Sequence, residues 1–127
     1  MNGELNGVPP EGIEVPVVDD FKWNGWEGFL VWSMYKINGR TKLLMFGERN
    51  ENVELIIEIS VNIVELQPMK CCFFVKDWSE NEGVFDALVE QGVVEDTGRR
   101  LSMETKDVFG ASVVVKEARI IPFQSYT

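Results

Sequence analysis

Val53-Glu54-Leu55-Ile56-Ile57-Glu58-Ile59-Ser60-Val61-Asn62-Ile63 is the stretch whose reading decides the fold. Val53, Leu55, Ile57, Ile59, Val61 and Ile63 fall on every second position, which is the side-chain period of a strand. The intervening Glu54, Ile56, Glu58, Ser60, Asn62 and Val64 are mixed, so one face is wholly apolar and the other is polar at its start and greasier towards Val64. A helix would gather Leu55, Ile56, Ile59 and Ile63 on one stripe, but its β-branched residues would lose χ1 freedom there. The spacing therefore predicts a half-buried strand.

Upstream, Phe29 to Ile37 alternates, with Leu30, Trp32 and Met34 opposed to Val31, Ser33 and Tyr35. Asn38-Gly39 carries the signature of a type I′ turn, whose two central residues need positive φ. Arg40 to Phe46 then returns antiparallel, and the polar Gly47 to Asn52 turns the chain into the organising strand, giving a three-stranded meander. Downstream, Pro68 closes that strand and Lys70 to Lys76 is a short, dense apolar run of buried-strand length.

Ser79 with Glu82 three residues later has the form of a capping box opening a helix that runs to about Gln91, with Gly92 as terminator. Val84, Phe85, Leu88 and Val89 make its apolar stripe. Asp96-Thr97-Gly98 marks a turn, Leu101 to Met103 a brief strand, and Ser112 to Ile121 a last strand ended by Pro122. These elements predict an α+β domain: a mainly antiparallel sheet of five or six strands with one principal helix packed on it. Residues 1–20 read as an acidic N-terminal arm, in which Ile13, Val15 and Val17 alternate as a short edge strand would, and 21–127 as one domain.

A chain of 127 residues with 45% hydrophobic content can bury a core unaided. No apolar run approaches the roughly 18 residues of a membrane span, and Met1 to Val8 lacks the basic and apolar parts of a signal peptide. The only cysteines, Cys71 and Cys72, are adjacent and cannot easily bridge each other. These features predict a cytoplasmic protein. With no histidine and no spaced cysteine pair, ligands for zinc are almost wanting, and the expectation is no cofactor and no metal site.

No catalytic signature emerges, and no catalytic residue is assigned. Asp96-Thr97-Gly98 matches the aspartic-protease triplet, but that chemistry needs a second such loop so that two carboxylates share a proton. Asp77, Ser79, Asn81 and Gly83 alternate as in a calcium loop, yet the sixth and twelfth places hold Glu82 and Leu88 instead of glycine and glutamate. Cys71 or Cys72 as nucleophile would lack a histidine base and lies in an apolar run that raises a thiol pKa. Of the four tryptophans, Trp32 reads as core, while Trp23, Trp26 and Trp78 flank loops, where packing competes with a role as partner anchor.

Charge placement carries the functional argument. The net charge is −9, and two blocks hold the excess: Met1 to Asp20 has five acids and no base, and Asp77 to Asp96 has seven acids and no base. Asp77, Glu80, Glu82, Asp86, Glu90, Glu95 and Asp96, with Trp78 as a hydrophobic anchor, are the candidate partner-binding residues. A solvated acidic face is the competing interpretation. Such a surface attracts a basic protein and repels nucleic acid, whose backbone demands Lys and Arg clusters.

Phe74-Val75-Lys76-Asp77, a helix ending Glu90-Gln91-Gly92, and Thr97-Gly98 together resemble, over about residues 74–98, a small domain family of unknown function from phages, plasmids and conjugative elements. The resemblance implies an accessory role on a mobile element, where small acidic proteins often occlude a host defence protein. The expected function is thus a non-catalytic inhibitor or modulator of a basic host protein, such as a nuclease or nucleic-acid-binding complex, acting by occlusion or DNA mimicry, with no direct nucleic-acid or membrane binding. An immunity protein neutralising a basic toxin and a small carboxylate-dependent enzyme are the alternatives.

Overall fold

A computed structural model describes residues 17–104 and 112–121 of the chain. The fold is α+β and mostly antiparallel, but it has two sheets where the sequence predicts one. Strands β1 (Val18–Trp23), β2 (Trp26–Met34), β3 (Thr41–Arg49) and β4 (Asn52–Glu58) pair in chain order in the first sheet. Strands β5 (Ser60–Val61), β6 (Cys72–Val75), β7 (Val94–Glu104) and β8 (Ser112–Ile120) form the second, in the order β5-β6-β8-β7. Among the described residues one short α-helix, α1 (Val84–Glu90), accompanies them. One core joins the layers: Phe21, Leu30, Trp32, Leu43, Met45 and Ile57 from the first sheet meet Phe73, Val75, Val94, Ala118 and Ile120 from the second, with Val84, Phe85 and Leu88 of α1 packed among them.

The Val53–Ile63 stretch is strand-like, but its apolar positions do not share one buried face. In the β3–β4 pairing Phe46 faces Leu55 and Met45 faces Ile57, so Ile56 is an extra residue, a β-bulge. A one-residue insertion in a period-two pattern turns every side chain beyond it over. Val53 and Leu55 consequently stand on the outer face of the first sheet, 62% and 52% exposed, while Ile57 and Ile59 enter the core. At Ile59 the chain changes sheets: its N–H donates to the Leu43 carbonyl of the first sheet, and its carbonyl accepts from Lys76 N–H, next to the second. Val61 and Ile63 then join Phe74 and Val115 in a separate cluster. A corner strand of this kind lets two packed sheets share one chain segment.

The turns correct the sequence in a second respect. Asn38-Gly39 is not a two-residue hairpin turn: Tyr35 and Arg40 pair across a four-residue loop, Gly39 N–H donates to Tyr35 O, and only Gly39 of the pair has positive φ. The two-residue turns with positive φ at both positions are Asn24-Gly25 and Asn50-Glu51. The meander they connect is as expected, with β1 added at its edge. The Asp96–Gly98 turn lies within the long strand β7, where Asp96 faces Ala118 and Arg100 faces Lys116, leaving three residues opposite Glu117.

Strand β1 begins at Val18, so Val18 to Asp20 of the expected arm belong to the sheet. The alternation at Ile13 and Val15 and the stop at Pro122 lie outside the described residues. The helix begins later than predicted. Ser79–Asn81 is a single 3-10 turn without a side-chain cap, and Gly83, at φ 93°, precedes Val84. Val89, assigned by its spacing to the apolar stripe, is 37% exposed.

Candidate functional site

The acidic block divides into two sets once the chain is folded. Asp77 lies two residues beyond the end of β6, and its side chain is only 9% exposed. One carboxylate oxygen accepts from Gly83 N–H and Phe85 N–H, both at 3.0 Å, and the other takes Lys116 Nζ at 2.8 Å. Asp77, not Ser79, therefore satisfies backbone donors at the start of α1. Glu80 is ion-paired with Lys76 at 3.0 Å, whose hydrogen bond holds its pKa below the usual carboxylate value. Glu95 takes Arg119 at 2.6 Å.

Asp96 receives both terminal nitrogens of Arg100, at 2.8 and 2.6 Å, and this fork is the chief reason its pKa falls to about 2. The Arg100 guanidinium and Lys116 Nζ also lie over the Phe85 ring, at 5.3 and 5.2 Å. A block with no base in its own sequence thus gains four bases: Arg100 from β7, Lys116 and Arg119 from β8, and Lys76 just after β6.

Glu82, Asp86 and Glu90 form the other set. They are exposed, and they take part in no ion pair among the described residues. Asp86 and Glu90, four apart, share one side of α1, whereas Glu82 lies before the helix in non-helical backbone (φ −55°, ψ 131°), ahead of Gly83. Like charges four apart on a helix repel, and α1 is too short to dilute that repulsion. Trp78 is not an exposed anchor. It packs half-buried against the Ile63, Phe74 and Val115 cluster, and its indole N–H is buried without a partner among the described residues. Trp23 and Trp32 are core, and Trp26 packs against that core.

Sequence reasoning missed a polar cleft of about 360 Å³ lined by Glu58, Ser60, Lys76, Trp78 and Glu80. Tyr35 Oη donates to Glu58 and lies 2.9 Å from Ser60 Oγ, which accepts from Leu43 N–H at 2.9 Å. Burial, then the hydrogen bond to Glu58, pushes the Tyr35 pKa up, so the phenol keeps its proton as a donor. The arrangement braces the chain where it changes sheets. Burial also pushes the Cys72 thiol up to about 11, aided by the Glu117 carboxylate. Among the described residues no three Cys, Asp or Glu side chains gather as a metal site would require, and no helix is long and apolar enough to cross a membrane. Compared with protein-family models, curated proteins and solved structures, the chain gives no match.

Proposed function

We propose that this protein is a non-catalytic acidic modulator that binds a basic protein through the outer side of α1. The observation that carries this reading is the set Glu82, Asp86 and Glu90: three exposed carboxylates on α1 and the segment just before it, with no ion pair among the described residues, in a block whose other acids are paired. An unpaired like-charged row costs helix stability, and a complementary basic surface would relieve that cost. Asp77, Glu80, Glu95 and Asp96 shape and flank the row; their charge is already offset by Lys116, Lys76, Arg119 and Arg100. The setting of a mobile element, with a host nuclease or other defence protein as target, rests on the resemblance of residues 74–98. Occlusion and imitation of a phosphate backbone both use this one face, as does an immunity protein against a basic toxin.

The test is the triple variant E82K/D86K/E90K. Purified parent protein should retain a basic protein from host lysate, and the variant, with an unchanged circular dichroism spectrum, should not. The parent's binding should weaken steeply as salt rises through roughly 0.1 M, where the screening length is about 10 Å. Equal capture by both proteins, insensitive to salt, would refute the reading.

A further inference from the structure

The open end of the two-sheet stack holds a second cavity, of about 360 Å³, between the start of β3 and the segment that leads into β6. Its lining includes Arg40, Thr41, Met69, Lys70 and both cysteines, and no carboxylate among the described residues. In a chain with 21 acids against 12 bases, a cavity with two cations and no acid departs from the whole. Thr41 makes the cavity more than a gap. Its residue is only 4% exposed, yet its hydroxyl has no hydrogen-bond partner among the described residues. A buried hydroxyl left unmatched is destabilising, and native structures keep few of them.

The walls are fixed from behind. Glu117, wholly buried, accepts from Met69 N–H at 2.9 Å, Arg99 at 3.0 Å and Thr97 at 2.9 Å. Arg99 also donates to Gln67 O at 3.0 Å, which pins the same segment. Glu117 is therefore occupied and does not cancel the cavity's charge. Arg40 is held at its tip: its two terminal nitrogens donate to Ile63 O at 2.6 Å and Val64 O at 3.4 Å, neutral acceptors that fix the guanidinium beside the cavity without cancelling its charge. Lys70 is exposed and makes no ion pair among the described residues. The Cys72 thiol, with its pKa pushed up to about 11, adds no negative charge at neutral pH.

We propose that this cavity binds a small oxyanion-bearing ligand, its charged group between Lys70 and Arg40, accepting the Thr41 hydroxyl proton in a hydrogen bond, and its apolar part against Met69. The volume lies within the usual range for small-molecule sites, and a few convergent polar groups in a mostly apolar lining are their ordinary composition. The site does not involve α1, so this inference stands independently of the acidic face.

Thr41→Val separates a ligand site from a mere packing flaw, because the two readings give different pairs of results. Removing an unmatched hydroxyl while keeping the shape should raise the Tm of the free protein. If the hydroxyl serves a ligand, the same substitution should also weaken binding. Amide-resolved NMR titrations with inorganic phosphate, phenyl phosphate and benzoate are the measurement. The parent should show saturable shifts at Gly39, Arg40, Lys70 and Cys71, with the aromatic probes distinguishing phosphate from carboxylate recognition. Thr41→Val and Lys70→Gln should each raise the Kd at least five-fold for the probe that binds. Lys70→Gln alters an exposed side chain and leaves the core intact, so it tests the site even if Thr41→Val perturbs the fold. Absence of saturable shifts with all three probes, or shifts that both variants leave unchanged, would overturn the proposal.

Discussion

Asp77 accepts two backbone N–H groups from the start of α1 and one ammonium from β8, all through a side chain that is 9% exposed. Asp77→Ala is accordingly expected to cost about 2 to 4 kcal/mol, since it strips charge-assisted hydrogen bonds from a nearly buried position. Ser79→Ala, which removes no cap, should stay within about 0.5 kcal/mol. Urea denaturation of both variants separates Asp77 from Ser79 as the residue that holds the helix. Asp96 supplies a pH-dependent counterpart. Arg100 lowers its folded pKa from 3.8 to about 2, so this pair contributes stability above the unfolded value and loses it as pH falls through 3.8 towards 2. Both side chains are more than a third exposed, which limits the gain to that of a surface pair, about 1 kcal/mol or less. In Arg100→Gln the Asp96 carboxyl should rise from about 2 towards 3.8, the Gly98 N–H and Lys116 still holding it down in part, and a carboxyl carbon NMR titration that still places it near 2 would contradict this account.

The bulge at Ile56 and the sheet change at Ile59 can be tested at the level of the strand pair they shape. Ile59→Ala should cost roughly 2 to 5 kcal/mol, because Ile59 is wholly buried in the shared core. Leu55→Ala, four residues earlier on the same alternating series, should cost under about 1 kcal/mol, because the outer face leaves Leu55 half exposed. Similar losses at both positions in chemical denaturation would mean that one face is buried throughout. The contrast shows what the strand pattern could reveal. Period-two alternation identified Val53–Ile63 as extended chain and put Leu30 and Trp32 on one side of β2, where both are buried, while β6 was readable as a dense apolar run. Alternation is blind to an inserted residue whose own side chain is apolar, as Ile56 is, and it is silent on which sheet a strand joins. Turn chemistry was readable in kind but not in place. Asn24-Gly25 and Asn38-Gly39 carry the same dipeptide, and the pairing of Trp23 with Trp26 puts the two-residue turn at the former. The capping box failed because Asp77, six residues from Gly83 and eight from Phe85, reached the same donors from outside the local motif.

For the molecule as a whole, the uneven charge was readable from the sequence, whereas its neutralisation was not. Lys116 and Arg119 lie on β8, 39 and 24 residues from the Asp77 and Glu95 they pair with, and only the β6–β8–β7 order brings them there. Glu82, Asp86 and Glu90 make no ion pair among the described residues, and the rest of the net charge of −9 adds to their repulsion. Self-repulsion of this kind opposes the compact state and acts over the screening length, about 30 Å at 0.01 M salt and about 10 Å at 0.1 M. The ion pairs act at contact distance, where screening removes less. Raising salt from about 0.01 to 0.1 M should therefore raise the Tm. Relief of about 1 kcal/mol would correspond to roughly 2 to 8 °C for a domain of this size class. In E82K/D86K/E90K each reversal adds two positive charges, which takes the net charge from −9 to −3. That variant should have a higher Tm than the parent at low salt and a much smaller salt response, as followed by circular dichroism on heating. A parent Tm that falls with salt would show that its ion pairs outweigh the repulsion. A triple variant with the parent's full salt response would show that the row on α1 contributes nothing to it.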